Sequence, residues 1–442
     1  IGAGDGNDSL MIYMSEHGTI VGGDGNDTMK IMAPTGIENF DKVKNLSVDG
    51  EEGSDKLKFT YTQTFTSATV AGAAGEDTIE FGGGLKNSLS GGDGNDSIYV
   101  PTTGSFNDST VTGEVGNDSL ILDASVGATG TAIRAGIGSD SLAVIDGDLQ
   151  SSSLYGGEGN DTLYVKDVVK SQSVLFAGSS AESSGSGSNF IELRKGLTDS
   201  TLYGEAGSDT IKILSGAGGY AVRTATVMSG AGADSLVLEG SVYTAAVYAG
   251  QGNDTLYINQ AVDSQTTLDA GSGSDYLKAR EFIQSSTLIG GAGADTMSID
   301  HIVAKSVVNG QNDSDQFVFS NTVNTVSLVG GSGDDTFTFA NTFTANSANT
   351  YFFGSNDGSD TLIFQAGMSS SNLQGTGFVM AFGGATNTTS QVSVTTGTAV
   401  TTVAYNGNTV YMQGFTSAGF SDANAAGMSF ITVSNDVITS LG

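Results

Sequence analysis

Apolar residues along this chain fall in pairs, two positions apart, and each pair follows a glycine-rich acidic stretch. In "GGEGNDTLYV", residues 156–165, Leu163 and Val165 form the pair, and near-copies recur over most of the 442 residues. The motif can be numbered G1-G2-x3-G4-x5-D6-x7-φ8-x9-φ10. Across 17 copies position 8 is apolar every time, from Leu10 through Leu163 to Leu362, and position 10 is large and apolar in all but Ala279. Apolar residues two apart predict a short, half-buried strand. Another apolar position two residues before each loop (Ile20, Leu89, Leu154, Leu202, Val247, Leu268, Leu288, Leu328) predicts an incoming strand. Glycines at positions 2 and 4 allow the positive φ of a tight turn between the two.

The spacing describes how the units join. From Asp254 the next four position 6 residues follow at steps of 21, 20, 20 and 20. A coil of that length holds one glycine turn and one unrelated turn ("NQAVDSQ", "REFIQSS", "DHIVAKS", "SNTVNTV"). Each unrelated turn has its own apolar anchor, Val262, Ile283, Val303 and Val323. Such a coil cannot bury its strands alone, whereas stacked coils bury them against one another. The expected fold is all-β: a parallel β-roll or β-solenoid of about 17 coils over residues 1–365, with irregularities at 30–54 and 177–190. The first irregularity carries the insert with Pro34, and the second is "AGSSAESSGSGSN". Past about residue 366 the acidic turn disappears, and alternation in "SQVSVTTGTAVTTVAYNGNTVYMQGF" predicts a β-rich cap, assembly module or secretion-signal region over 366–442.

Position 6 carries the candidate chemistry. It is Asp at Asp8, Asp27, Asp55, Asp77, Asp96, Asp118, Asp140, Asp161, Asp209, Asp234, Asp254, Asp275, Asp295, Asp315, Asp335 and Asp360; in the remaining copy, "SGSGSNFIEL", it is Asn189. Stacking puts these carboxylates in a column, where two charges about 4.8 Å apart repel by ~0.9 kcal/mol even at the dielectric of water. A hard divalent cation between turns reverses the sign. Ca²⁺ takes six to eight oxygens, which carboxylates and loop carbonyls supply, while Mg²⁺ demands a tighter octahedron. No His or Cys accompanies the Asp residues, which argues against Zn²⁺. The competing explanation is a metal-free β-helix that uses Asp and Asn as turn formers. Asp at 16 of 17 copies is more selective than turn chemistry requires.

The copies "GGDGNDT" (22–28), "GGDGNDS" (91–97) and "GGEGNDT" (156–162) resemble the GGxGxDxUx nonapeptide of RTX proteins. The resemblance spans roughly residues 2–365. It implies Ca²⁺ held by the position 6 carboxylates and nearby loop carbonyls, folding after export, and type I secretion from a bacterium. The family's commonest form runs its nonapeptides in tandem and lines both edges with calcium. With one copy per ~20 residues, this chain is expected to have a single calcium edge and a variable opposite edge.

Composition narrows the function. Gly is 65 residues, roughly twice the average share of about 7%, with only 2 Pro, which excludes collagen and proline-rich disorder. The net charge of −32 opposes nucleic acid and anionic lipid, and no apolar run reaches a membrane span, so neither nucleic acid binding nor membrane insertion is expected. Cys is absent, so there is no disulfide framework and no thiol nucleophile. The two histidines, His17 and His301, are 284 positions apart in the non-calcium turns and read as solvent-facing. No HExxH or GxSxG motif is present, and no enzymatic activity is expected. Lys166, Lys170, Arg280 and Lys305 fall on far-edge turns and read as ordinary surface charge.

Richness in Ala, Thr, Ser and Gly, absence of Cys and Trp, and repeats filling most of the chain resemble RTX-type bacterial S-layer proteins (the Caulobacter type). The expected role is structural and extracellular: part of a calcium-dependent S-layer or similar surface assembly, self-associating into a lattice and anchored to surface polysaccharide through a missing N-terminal part. The alternatives are the C-terminal secretion and folding module of a larger toxin or hydrolase, and a calcium-stiffened adhesin. The chain begins inside a truncated repeat and reads as a processed or excised part of something longer.

Overall fold

The apolar pairs and the anchors before each acidic turn do form strands, and a third, shorter strand completes the turn. A computed structural model describes residues 1–13, 17–32, 42–60, 64–82, 84–101, 106–123, 128–178, 187–216, 218–301, 303–340, 350–353, 359–364, 379–383, 393–396, 400–405, 408–413, 429–434 and 437–440. Among them every regular element is a strand. The chain forms two compact units, Ile1–Gly230 and Ala231–Gly442.

In the first unit a typical turn runs from a strand at Ser153–Glu158, through the acidic loop, to Thr162–Val165 and then to Val169–Lys170. Each strand pairs in parallel with its counterpart one turn on. Leu142, Leu163, Ile191 and Ile211 stand in register on the second face, and Leu154, Leu175, Leu202 and Val227 on the first. The second unit repeats the arrangement, with Thr267–Ser272, Tyr276–Ala279 and Ile283–Gln284 as one turn. This is a parallel β-solenoid. Among the described residues fourteen turns carry the third strand, against the 17 coils expected. The difference lies at the ends: the first copy has no described third strand, and the residues that follow Ala340 and Phe364 on that side lie outside the described set.

Like residues stacked in register make the core. Leu163, Val165, Leu154, Val262, Ile283 and Val303 are all wholly buried. Aromatic rings extend these columns. Phe59 and Phe65 meet edge to face at 5.5 Å in the first unit, and Phe317 stacks on Phe337 at 4.4 Å in the second. The insert around Pro34 lies outside the described residues, and the strands before and after it, Thr28–Met32 and Leu46–Glu52, keep the regular pairing. The other irregularity is resolved differently from its sequence alignment. Tyr155 pairs with Phe176, so Ala177 and Gly178 hold positions 1 and 2 of the turn that ends in Asn189. The copy begins at Ala177, not Ser184, and extra residues enter between positions 2 and 4. Residues 366–442 belong to the second unit and include antiparallel hairpins, such as Ser429–Ser434 with Val437–Ser440.

An inward-facing side chain supports two neighbouring turns at once. Replacing Leu163 by Ala is expected to cost about 2–5 kcal/mol in denaturant unfolding with calcium present. The outward Tyr164→Ala is expected to cost about 1 kcal/mol or less. Equal losses for the two would contradict the assigned faces.

Candidate calcium edge

Each acidic loop has to bring successive turns together at strand spacing, and glycine makes that possible. At position 4 the backbone is left-handed (Gly94, φ 141°), and its N–H donates to the carbonyl of Val115 in the next turn at 2.7 Å. A Cβ there would collide with the carbonyl of Gly75 one turn back. The side chain at position 6 therefore sits at the inside of a closely stacked corner, and the position 6 carboxyls from Asp27 to Asp335 are all buried.

The two oxygens of each carboxyl meet different fates. Oδ1 accepts the backbone N–H of position 6 in the preceding turn. Asp55 N–H donates to Asp77 Oδ1 at 2.7 Å, Asp77 to Asp96 at 2.8 Å, and Asp96 to Asp118 at 2.8 Å. In the second unit Asp254 donates to Asp275 at 2.7 Å, and Asp275 to Asp295 at 2.8 Å. Oδ2 of Asp27, Asp55, Asp77, Asp96, Asp118, Asp140, Asp161, Asp254, Asp275, Asp295 and Asp315 is buried with no hydrogen-bond partner among the described residues. An unpaired carboxylate oxygen away from water carries a large desolvation cost.

Asn189 is a natural control. Its Oδ1 accepts the N–H of Asp161 at 2.8 Å, as an Asp would, and its Nδ2 donates to the carbonyl of Gly187 at 3.3 Å. The second atom of the side chain thus faces a position 4 carbonyl. In Asn a donor meets an acceptor there; an ionised Asp carboxylate in the same place has no proton to donate. Glycine at position 1 adds a further oxygen. A Cβ on Gly22 would stand 2.5 Å from Asp27 Oδ2 and 2.7 Å from the carbonyl oxygen of Gly50, so both oxygens open onto the same small space. Among the described residues no three His, Cys, Asp or Glu side chains gather, so a metal here takes backbone carbonyls beside carboxylate. That donor set, all oxygen and partly neutral, fits Ca²⁺.

The sequence predicted the acidic column, and the structure stacks it within each unit. Asp8 lies at the half-buried start, and its N–H donates to Asp27 Oδ1 at 2.7 Å. Asp209 accepts from Asn189 at 2.7 Å. Asp234 donates to Asp254 at 2.7 Å, and Asp335 to Asp360 at 2.9 Å. Position 5 escaped the sequence reading. Its Asn and Ser side chains accept from the following turn, as in Asn117 N–H to Asn95 Oδ1 at 2.8 Å and Ser139 N–H to Asn117 Oδ1 at 2.7 Å. Positions 5 and 6 therefore tie the turns in opposite directions.

A second ladder, also missed, closes the corner between the third and first strands. Asn87 N–H donates to Ser109 Oγ at 3.0 Å, Thr131 to Ser152 at 3.1 Å, and Ser286 to Ser306 at 3.2 Å. These hydroxyls donate onward to their own turn, Ser109 to the Asn107 carbonyl at 2.8 Å and Ser152 to the Gln150 carbonyl at 2.7 Å. Every oxygen of those links is satisfied without an ion. Of the basic residues on the far turns, Lys170 pairs with Asp148, and Lys195 with Asp167. His17 is exposed, as expected, whereas His301 is only partly so and its Nδ1 is buried without a partner.

Parallel turns, satisfied on one corner by hydroxyls and left with acceptor facing acceptor on another, define a cation-dependent β-solenoid. The family model described as RTX calcium-binding nonapeptide repeat (4 copies) matches residues 18–30, 81–100, 137–166, 196–212 and 285–298. The chain carries RTX repeats, and calcium is the ion they bind. Such repeats are typical of secreted extracellular proteins. No curated protein matches the chain in sequence. Among solved structures, the chain is similar to a hyperactive, Ca²⁺-dependent, beta-helical antifreeze protein from an Antarctic bacterium. The two share 15% identity over 80% of this chain and 84% of that one, with a TM-score of 0.36.

Burial pushes Asp96, Asp118, Asp140, Asp161 and Asp295 up to about 6, Asp77, Asp254 and Asp275 to about 7, and Asp315 to about 8. The N–H that each accepts opposes the rise, and at Asp77, Asp118, Asp275 and Asp315 neighbouring carboxylates in the column add to it. Raised folded-state values mean that the metal-free fold is fully stabilised below pH about 4 and loses that stability as pH rises through about 6–8. In EDTA the thermal midpoint is expected to fall across that window, and with millimolar calcium to stay level. A midpoint in EDTA that rises from pH 5 to 8 would contradict the acceptor-facing-acceptor corner.

Proposed function

We propose that this chain is a structural component of a bacterial S-layer or similar extracellular assembly, without enzymatic activity, and that calcium folds it after type I secretion. In this reading the ligands are the carboxylates of Asp8, Asp27, Asp55, Asp77, Asp96, Asp118, Asp140, Asp161, Asp209, Asp234, Asp254, Asp275, Asp295, Asp315, Asp335 and Asp360, with loop carbonyls. The observation that carries it is the buried, unpartnered Oδ2 that recurs from turn to turn. Calcium supplies the positive charge that lets each Oδ2 and the carbonyls it faces share one space. The chain's own residues do the rest. Oδ1 fixes each carboxylate to the preceding turn, glycine admits the close stack, and the apolar columns hold the turns in register.

Calcium is then a folding ligand. At ten times its Kd each site adds ~1.4 kcal/mol to the folded state. Sub-micromolar cytosolic calcium leaves the chain unfolded for export, and millimolar calcium outside folds it. Richness in small polar residues, an acidic surface and repetition through most of the length support a scaffold that self-associates into a lattice. Surface polysaccharide is the proposed anchor partner.

Three measurements test this. Strand-type circular dichroism at pH 7.5 is expected to appear with added calcium and vanish in EDTA; a signal indifferent to EDTA would refute calcium-driven folding. Exchanging Asp96, Asp118 and Asp140 for Asn together keeps the Oδ1 acceptor and adds a donor, so it is expected to lower the calcium bound per chain and reduce the EDTA sensitivity. For the assembly, electron microscopy of the purified chain in millimolar calcium is expected to show ordered sheets. Persistent monomers would count against the S-layer role while leaving calcium-driven folding intact.

A further inference from the structure

Position 1 faces the interior beside the position 6 carboxyl, and its residue type varies along the chain. In the first unit it is glycine through five successive turns, Gly22, Gly50, Gly72, Gly91 and Gly113, and then Ala135, Gly156, Ala177, Gly204 and Ser229. In the second it is Ala249 and Ala270, followed by Gly290, Gly310 and Gly330. The glycine turns leave a space that oxygens occupy. A Cβ on Gly72 would collide with Asp77 Oδ2 and stand 2.6 Å from the carbonyl of Gly91. On Gly290 it would stand 2.6 Å from Asp295 Oδ2 and 3.0 Å from the carbonyl of Gly310. Carbon and oxygen at such distances overlap, so a methyl there forces the carboxylate aside.

In the alanine turns that methyl is real. Ala135, Ala177 and Ala270 are buried, so their methyl groups stand inside the corner. Asp140 and Asp275, which share turns with Ala135 and Ala270, still have a buried Oδ2 without a partner. The need for a cation thus persists in these turns, beside a methyl group that the glycine turns lack.

We propose that the residue at position 1 grades the calcium affinity of each turn, with glycine turns binding tightly and alanine turns weakly. This rests on the calcium reading above. It divides the acidic column into early-filling blocks, the turns of Gly22–Gly113 in the first unit and of Gly290–Gly330 in the second, and late-filling turns at Ala135, Ala249 and Ala270, while the Ala177 turn, which carries Asn189, has no carboxylate to grade. As calcium rises the early blocks order first, and the alanine turns follow at higher concentration.

The test is a calorimetric titration of the full chain with calcium chloride at pH 7.5, against a chelator of known affinity, for the parent and for Gly72→Ala, Ala135→Gly and Ala143→Gly. The parent is expected to bind in a tight and a weak phase. Ala135→Gly is expected to move one site from the weak phase to the tight one, and Gly72→Ala to move one the other way. Ala143→Gly, outside the corner on the strand after Asp140, adds the same backbone freedom and is expected to leave both phases unchanged. Because Gly72→Ala risks misfolding, Ala135→Gly decides. An unchanged tight-phase stoichiometry in that variant, or an equal gain with Ala143→Gly, would overturn the proposal. A parent that takes up no calcium in either phase would instead overturn the calcium reading on which it rests.

Discussion

The structure depends on a carboxyl group whose two oxygens are treated unequally. Oδ1 of a position 6 Asp accepts a backbone N–H from the turn before, at 2.7 Å between Asp55 and Asp77. The same bond carries Oδ2 into a corner with no donor. One interaction holds the stack together, and its geometry creates the demand for a cation. Stability and ligand dependence therefore cannot be separated at this edge, in contrast to an enzyme whose site is an addition to a scaffold that folds without it.

The hydroxyl corner shows that this demand is not inherent in stacking. Ser109 and Ser152 accept the same kind of inter-turn N–H as the Asp residues, and each then donates its own proton to a carbonyl of its turn. Asn189 achieves the same closure on the acidic edge itself, with Nδ2 given to the Gly187 carbonyl. Uncharged closures exist in this chain at both corners. Asp in nearly every copy thus keeps at this edge a demand for a cation that a neutral residue would remove, in keeping with the calcium-driven folding proposed above.

Much of this was legible in the sequence because each column repeats one physical requirement. The pair Leu163 and Val165, the anchor Leu154 and the far-turn anchors Val262, Ile283 and Val303 are all buried where period-two alternation put them. The acidic column was legible for the same reason. The position 5 ladder was not, since Asn95 and Asn117 read as ordinary turn residues until the stack supplies the N–H groups they accept from. The Ser/Thr/Asn ladder was hidden similarly, because small polar residues are common throughout this chain. The turn at Ala177 was misaligned because a glycine-serine insert imitates the motif it interrupts. The split at Gly230 has no compositional mark, as the repeat runs through it.

The most direct test is to locate the ions. Crystals of the chain grown in calcium and measured at a wavelength where calcium scatters anomalously are expected to show peaks along the acidic edge. The peaks should lie beside Oδ2 of residues such as Asp77, Asp96 and Asp118, with none at the Ser109–Ser152 corner. Well-ordered acidic turns without such peaks, or peaks confined to the hydroxyl corner, would contradict the account.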